Sequence, residues 1–160
     1  MPVPTPEQIH AFEAAPSQVA AAITGLNAKQ MQFSPTDGEW SIHEVVVHLA
    51  DSESVGFGRL RKTIAEEQPL VTVYDEAAWA NNLGYQAQDH NLALTLFAAL
   101  RRSTAALLRM LPAEAWERTC VHPERGVMSL YDVFQLYLDH GNVHLSQIEH
   151  LKRALPQEVV

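Results

Sequence analysis

The sequence has little cysteine and few basic residues, and these shortages exclude several kinds of site. A single cysteine, Cys120, excludes an internal disulfide and a four-cysteine zinc site. The 11 lysines and arginines are outnumbered by 19 acidic residues, and the formal charge of -8 has the wrong sign for binding phosphate backbones. We therefore expect no nucleic-acid partner, and any bound metal must be held by histidines or carboxylates.

The sequence also has no long hydrophobic run. No segment approaches the roughly 18 apolar residues that indicate a membrane-spanning helix. The N-terminal MPVPTPEQIH has no basic start followed by an apolar stretch, as a secretory signal would. These absences predict a soluble, cytoplasmic protein without a membrane partner. Because no repeat, low-complexity tract or long Gly/Ser linker divides the chain, residues 1–160 are expected to form a single domain.

Four amphipathic segments are present, each with apolar residues recurring at spacings of three and four. Helices are predicted from Thr5, from Ser41 to about Glu66, from near Asp89 to Pro112, and from Ser129 to about Leu155. The third helix is expected to turn its larger apolar residues inward: Leu92, Leu96, Leu100, Leu107 and Met110. Four long helices with little strand signal predict an all-α fold, a four-helix bundle.

Two connections are longer than such a bundle requires. Residues 67–88 are rich in aromatic side chains and include a predicted short helix at Asp75 to Trp79, and residues 112–128 contain Trp116 and His122. Long aromatic connections either cover an opening in the scaffold, as a lid or pocket wall, or simply close the ends of the bundle. The sequence leaves both interpretations open.

Eight histidines are an unusual number for a chain of 160 residues, and two of them share a helix face. His140 and His144 are one turn apart, so both imidazoles can reach one ion. A helical projection places them beside Val133, Tyr137 and Ile148, which face the core. Two inward imidazoles need partners for their nitrogens, either a metal or hydrogen bonds from neighbouring helices. The pair alone does not decide between the two.

His48 is the best candidate for a third ligand, since it lies at the edge of the apolar stripe of the second helix. Taken alone, a histidine there is more typical of a hydrogen-bonded core residue. His43 precedes it by five residues, or about 140° of rotation, so the two cannot bind one metal as the histidines of an H-E-x-x-H metalloprotease do.

The remaining polar candidates have weaker positions. His10 and His150 are predicted to face solvent, His90 to act locally at a helix start, and His122 to line a site only if its loop turns inward. Asp51, Gln147 and Tyr137 are candidates for orienting a ligand or a water, while Glu53 projects too far from His48. No general base and no catalytic residue can be named from the pattern.

Two segments resemble the signatures of a known family. Residues 40–53 resemble the W-S-x-x-E-x-x-x-H-L-x-D-x-E opening of the second helix in the DinB/YfiT-like superfamily. Residues 139–148 resemble its second signature, H-x-x-x-H-x-x-Q-I, and the similarity extends from about residue 10 to about residue 155. The order and spacing of the pieces make the resemblance more specific than either piece alone.

The resemblance implies a bundle of up-down-down-up topology with a long crossover connection, often assembled as a homodimer. It also implies a divalent metal held by His48, His140 and His144, and three nitrogen ligands suit zinc or nickel. The function expected from it is a metal-dependent enzyme acting on small molecules, a hydrolase or a transferase that uses a low-molecular-weight thiol. The alternative is a non-catalytic dimeric binding protein, with a structural metal or none. Leu136 and Val143, which project among polar positions, would suit a dimer contact under either hypothesis.

Overall fold

Six α-helices and one short β-hairpin make up the computed structural model over the residues that it describes, 2–156. The helices are α1 (Pro6–Ile23), α2 (Ala28–Gln32), α3 (Ile42–Ala65), α4 (Glu76–Asn82), α5 (His90–Leu108) and α6 (Leu130–Arg153). The strands are β1 (Thr119–His122) and β2 (Gly126–Ser129), and two 3₁₀ turns cover Tyr85–Ala87 and Ala113–Glu117.

The long helices begin where capping residues were predicted. Thr5, Ser41 and Ser129 each accept a hydrogen bond from the backbone N–H three residues later, and the side chain at that later position bonds back. Asp89 caps α5 in a similar way by accepting from the N–H of Asn91. The predicted helix starts are therefore confirmed.

Contacts between helices define the topology. α3 meets α6 through the pairs His48–His144 and Arg59–Tyr137, and it meets α5 through Glu53–Arg101 and Arg61–Thr104. As the residue numbers rise along α3, those of the contacted residues fall along α6, so these two helices are antiparallel. The numbers rise together along α3 and α5, so these two helices are parallel. Gln8 near the start of α1 contacts Tyr131 near the start of α6, and Ala15 packs beside Gly141, so these helices are parallel. The topology is up-down-down-up, and the 66–89 crossover joins the two parallel helices α3 and α5.

The inward face of α5 differs from the predicted one. Its buried residues are Ala93, Phe97, Arg101, Thr104, Ala105 and Leu108. Leu92, Leu96 and Met110 are instead 69%, 46% and 74% exposed. The prediction from large apolar residues was wrong because α5 packs against both α1 and α3, where small side chains allow close approach and Arg101 reaches a buried acid. The ion pair between Arg101 and Glu53 has one fixed partner, so it constrains the rotation of α5 about its axis more than the leucine side chains do.

The 112–128 connection contains strands that the sequence did not predict. β1 and β2 pair antiparallel, with Cys120 opposite Met128, and Gly126 closes the turn with a φ of 74°. Each strand has only four residues, too few for alternation to show in the sequence. The hairpin packs on the bundle and leaves it a four-helix bundle. None of the helices within residues 2–156 has both the length and the hydropathy that crossing a bilayer requires.

Candidate metal centre

Three histidines from two antiparallel helices converge at one point. The Nε2 atom of His48 on α3 lies 3.1 Å from the Nε2 atoms of both His140 and His144 on α6, and these two are 3.0 Å apart. They are the one group of three or more His, Cys, Asp or Glu residues within 2–156 whose ligand atoms are close enough to share a metal ion. The structure therefore brings the three predicted ligands together, and metal binding by them stays a prediction.

The imidazoles are held in the neutral form that metal binding requires. Burial, with the two neighbouring imidazoles adding to it, lowers the pKa of His48 to about 2. Burial lowers the pKa of His140 to about 3, and it also lowers the pKa of His144. At neutral pH all three rings thus keep a lone pair on one nitrogen.

A hydrogen bond at the far side of the His144 ring places its lone pair on Nε2. The Oε1 atom of Gln147 accepts from Nδ1 of His144 at 2.7 Å, so the proton of this ring lies on Nδ1. The Nδ1 atom of His48 forms a hydrogen bond with the hydroxyl of Tyr74 at 3.2 Å, in which either group can be the donor. A lone pair on Nε2 of His144 faces the other two Nε2 atoms at about 3 Å, where it can bind a cation or accept a hydrogen bond. The donor set and its protonation therefore fit a divalent ion, with bonds of about 2.0–2.1 Å to each nitrogen.

Aromatic and acidic side chains from outside the long helices form the walls of this centre. The centroid of the Trp40 ring lies 4.7 Å from that of His48, and the Tyr74 ring stacks on His48 with a centroid distance of 5.9 Å. Glu76, the first residue of α4, brings its Oε2 atom to 3.9 Å from Nε2 of His48 while remaining 61% exposed. Of the two interpretations left open for residues 67–88, the pocket wall is the one that the structure shows.

A chain of hydroxyl groups extends from His48 to a carboxylate. The Tyr74 hydroxyl is 3.3 Å from that of Tyr85, and the Tyr85 hydroxyl interacts with the side chain of Asp51. Burial raises the pKa of Tyr74 to about 12 and that of Tyr85 still higher, so both remain protonated. Asp51, one of the candidates for orienting a ligand, is connected to His48 through these two tyrosines.

Two clefts open beside the three histidines, and Glu76 lines both of them. One is lined by Trp40, Glu76, His144 and Gln147 together with neighbouring residues. The other is lined by Arg59, Tyr74, Glu76, His122, Tyr137 and His140 among others. The centre is therefore open to a small molecule from two directions.

The other histidines lie largely as predicted. His10 and His150 are exposed, and His43 bonds the backbone oxygen of Tyr85 through Nε2 at 3.1 Å. His90, at the first position of α5, packs edge-on against the His43 ring. His122 lies on β1 and not in a loop, and it is buried at the wall of the cleft beside His140.

The two residues predicted to meet a partner copy lie in different environments. Val143 is 62% exposed, whereas Leu136 is half-buried and lines the cleft beside His140. Sequence reasoning missed Arg59 and Glu76. Glu76 follows a helix-capping aspartate in the crossover, and this capping position was its only local signal.

Comparison with known proteins supports the assignment suggested by the three histidines. The model of the DinB superfamily matches residues 11–148. The chain belongs to the DinB superfamily. A relative from Oceanobacillus iheyensis, named "Putative metal-dependent hydrolase", is 36% identical over 149 residues, which cover 91% of this chain and 84% of the relative.

Solved structures extend the comparison to the fold. YfiT from Bacillus subtilis is 30% identical, superimposes with a TM-score of 0.86, and covers 92% of this chain and 85% of its own. It is described as a probable metal-dependent hydrolase with an unusual four-helix bundle topology. A mycothiol-dependent maleylpyruvate isomerase superimposes with a TM-score of 0.69 over 92% of this chain and 63% of its own, at 12% identity. That likeness shows a shared fold alone.

Proposed function

We propose that this protein is a metal-dependent hydrolase of small molecules, in which His48, His140 and His144 hold a zinc or nickel ion. The observation that carries the proposal is the convergence of three neutral Nε2 atoms at the meeting point of two open clefts. Three protein ligands leave a coordination position free, which is typical of catalytic sites and not of closed structural ones. The names of the relatives agree with this proposal.

A divalent ion in this position would lower the pKa of a water or thiol molecule that reaches it towards neutrality. The chain's own contribution is to orient the ligands and to accept a proton. Glu76 is suited to the second task because its carboxylate is within 4 Å of the histidine cluster and is exposed enough to pass a proton to solvent. Gln147 and Tyr74 fix the ring orientations of His144 and His48.

Thiol transfer is the main rival, since a thiol and a water molecule would compete for the same open position. We rank hydrolysis first because the relatives that are 30% or more identical are named as hydrolases, whereas the thiol-dependent neighbour shares 12% of its sequence. The rival from another class is a non-catalytic binding protein with the same three histidines.

Metal analysis of protein purified without chelator, followed by assays on activated esters, tests the proposal. We expect about one zinc or nickel ion per chain in the wild type and in His10→Ala, a control at an exposed histidine, and loss of the ion and of turnover in His144→Ala. Glu76→Gln should keep the metal and lose roughly 10²–10⁴-fold in kcat.

Three outcomes would overturn the proposal. Turnover that requires added glutathione or bacillithiol would assign the protein to thiol transfer. Equal turnover in His144→Ala and wild type would remove the metal from the chemistry. Bound metal without turnover on any ester would favour the binding protein.

A further inference from the structure

Arg59 is a buried cation without an acidic partner. The residue is 7% exposed, and its Nε and Nη2 atoms donate to the backbone oxygen of Thr72 at 3.1 and 2.6 Å. Its Nη1 atom donates to the hydroxyl of Tyr137 at 3.1 Å. No carboxylate among residues 2–156 forms an ion pair with this guanidinium. Because buried charges in proteins are usually paired, an unpaired one at a cleft indicates an anionic ligand.

Unused hydrogen-bond donors surround this charge. A guanidinium has five N–H groups, and the bonds above use three of them, which leaves one N–H on each terminal nitrogen. The Tyr137 hydroxyl accepts from Arg59, so its own proton remains available, and burial raises its pKa to about 12. The Nδ1 atom of His122 accepts from the N–H of Glu124, so the proton of this ring lies on Nε2.

The three side chains line the same cleft, and His140 lines it with them. Burial and the charge of Arg59 lower the pKa of His122, so this ring acts as a neutral donor and not as a second cation. Glu76, Glu124 and Arg125 are exposed on the rim, where water screens their charges. The buried part of the cleft thus carries one positive charge and several donors.

We propose that this cleft binds the carboxylate group of the substrate, so that the substrates are small organic acids or their derivatives. A carboxylate offers two coplanar oxygens to the paired N–H groups of an arginine, and the desolvated position of Arg59 strengthens such a contact. The inference rests on the proposed function in one respect: the rest of the bound acid extends past His140 to the metal centre.

Titration of the full-length, zinc-loaded protein with propionate, followed by the amide signals in NMR, tests the inference, with neutral propionamide as the matched probe. We expect propionate to shift signals around Arg59 and propionamide to shift none. Arg59→Gln should weaken propionate binding about 10- to 100-fold, as loss of a charged hydrogen bond does. His122→Leu is a second variant that keeps the guanidinium and should weaken binding less.

Arg118→Gln is the matched control. Arg118 donates to the backbone oxygens of Thr63 and Glu66 as Arg59 does to Thr72, but it lies outside the cleft, so its loss should leave propionate binding unchanged. Equal affinity for propionate and propionamide, or equal weakening in Arg59→Gln and Arg118→Gln, would overturn the inference. Inorganic phosphate that binds more tightly than propionate at the same signals would overturn the carboxylate assignment.

One more titration distinguishes a failure of this inference from a failure of the proposed function. The same titration on His144→Ala examines the cleft without the complete metal site. Propionate binding that persists there and still depends on Arg59 supports the inference even if no ester is hydrolysed. Binding that disappears together with the metal shows that the carboxylate contacts the ion and not the arginine, and it refutes the inference.

Discussion

Acidification should destabilise the metal-free protein through two of its buried histidines. In the folded chain the pKa of His48 is lowered to about 2 and that of His140 to about 3, whereas an unfolded histidine titrates near 6.5. Below about pH 6.5 the unfolded state therefore binds more protons than the folded state, and stability falls as the pH falls. The loss continues until the pH reaches the folded pKa values.

The size of the effect follows from these pKa values. As the pH falls from about 7 to about 5, the uptake of each of the two histidines on unfolding rises from about a quarter of a proton to nearly one, which costs the folded state about 2 kcal/mol per residue. The sum of about 4 kcal/mol is a large part of the roughly 5–15 kcal/mol that stabilises a typical domain. It corresponds to a fall of about 8–16 °C in Tm for a chain of this size.

Urea unfolding at both pH values, with a chelator present, measures the effect. The double variant His48→Gln/His140→Gln cannot titrate at these positions, so its stability should change by about 4 kcal/mol less than that of the wild type. Zinc added in place of the chelator should raise stability, and more at the higher pH than at the lower, because the ion binds the neutral imidazoles of the folded state. If wild type and double variant lose the same free energy on acidification, the assignment of buried neutral histidines is refuted.

Three further predictions concern the scaffold, the ligand support and the assembly. Arg101→Met should cost about 3–5 kcal/mol in urea unfolding because it leaves the buried carboxylate of Glu53 unpaired; a loss below about 1 kcal/mol would contradict this. Tyr74→Phe removes the hydroxyl that bonds His48 and should weaken zinc binding about 10- to 100-fold, as measured by competition with a chelator. An unchanged zinc affinity would contradict this prediction. We expect a dimer that uses the exposed face of α5, so Leu96→Glu should give a monomer in sedimentation experiments; a wild-type monomer would exclude it.

Much of the fold was predictable because its signals are local. Capping residues such as Ser41 and Ser129 act within one turn of their own helix, and the apolar stripe of α3 is periodic, so both are visible in the sequence. The rotation of α5 was not predictable in the same way, since it depends on Arg101 meeting Glu53, a residue 48 positions away. Leucine spacing contains no information about that partner.

The same difference between local and long-range signals applies to the residues of the candidate site. His48, His140 and His144 are on regular helices, where spacing and projection show that they face inward. Glu76 reaches the cleft through the path of the crossover. Arg59 is on α3, but the Thr72 oxygen that holds its guanidinium is supplied by the crossover. The path of a 24-residue connection has no periodic signal in one sequence.

The helices and the connections contribute differently to the site: the helices position the metal ligands, and the connections line the clefts. Arg101 bonds Glu53 on α3 and the backbone oxygen of Tyr137 on α6, so one buried side chain joins the two helices that carry the histidines. The distances among the three Nε2 atoms thus depend on the bundle core. The crossover and the hairpin instead supply Glu76 and His122 to the clefts. Substitutions of these two residues should therefore change substrate binding or turnover while the metal centre is kept, whereas changes at Arg101 should disturb both.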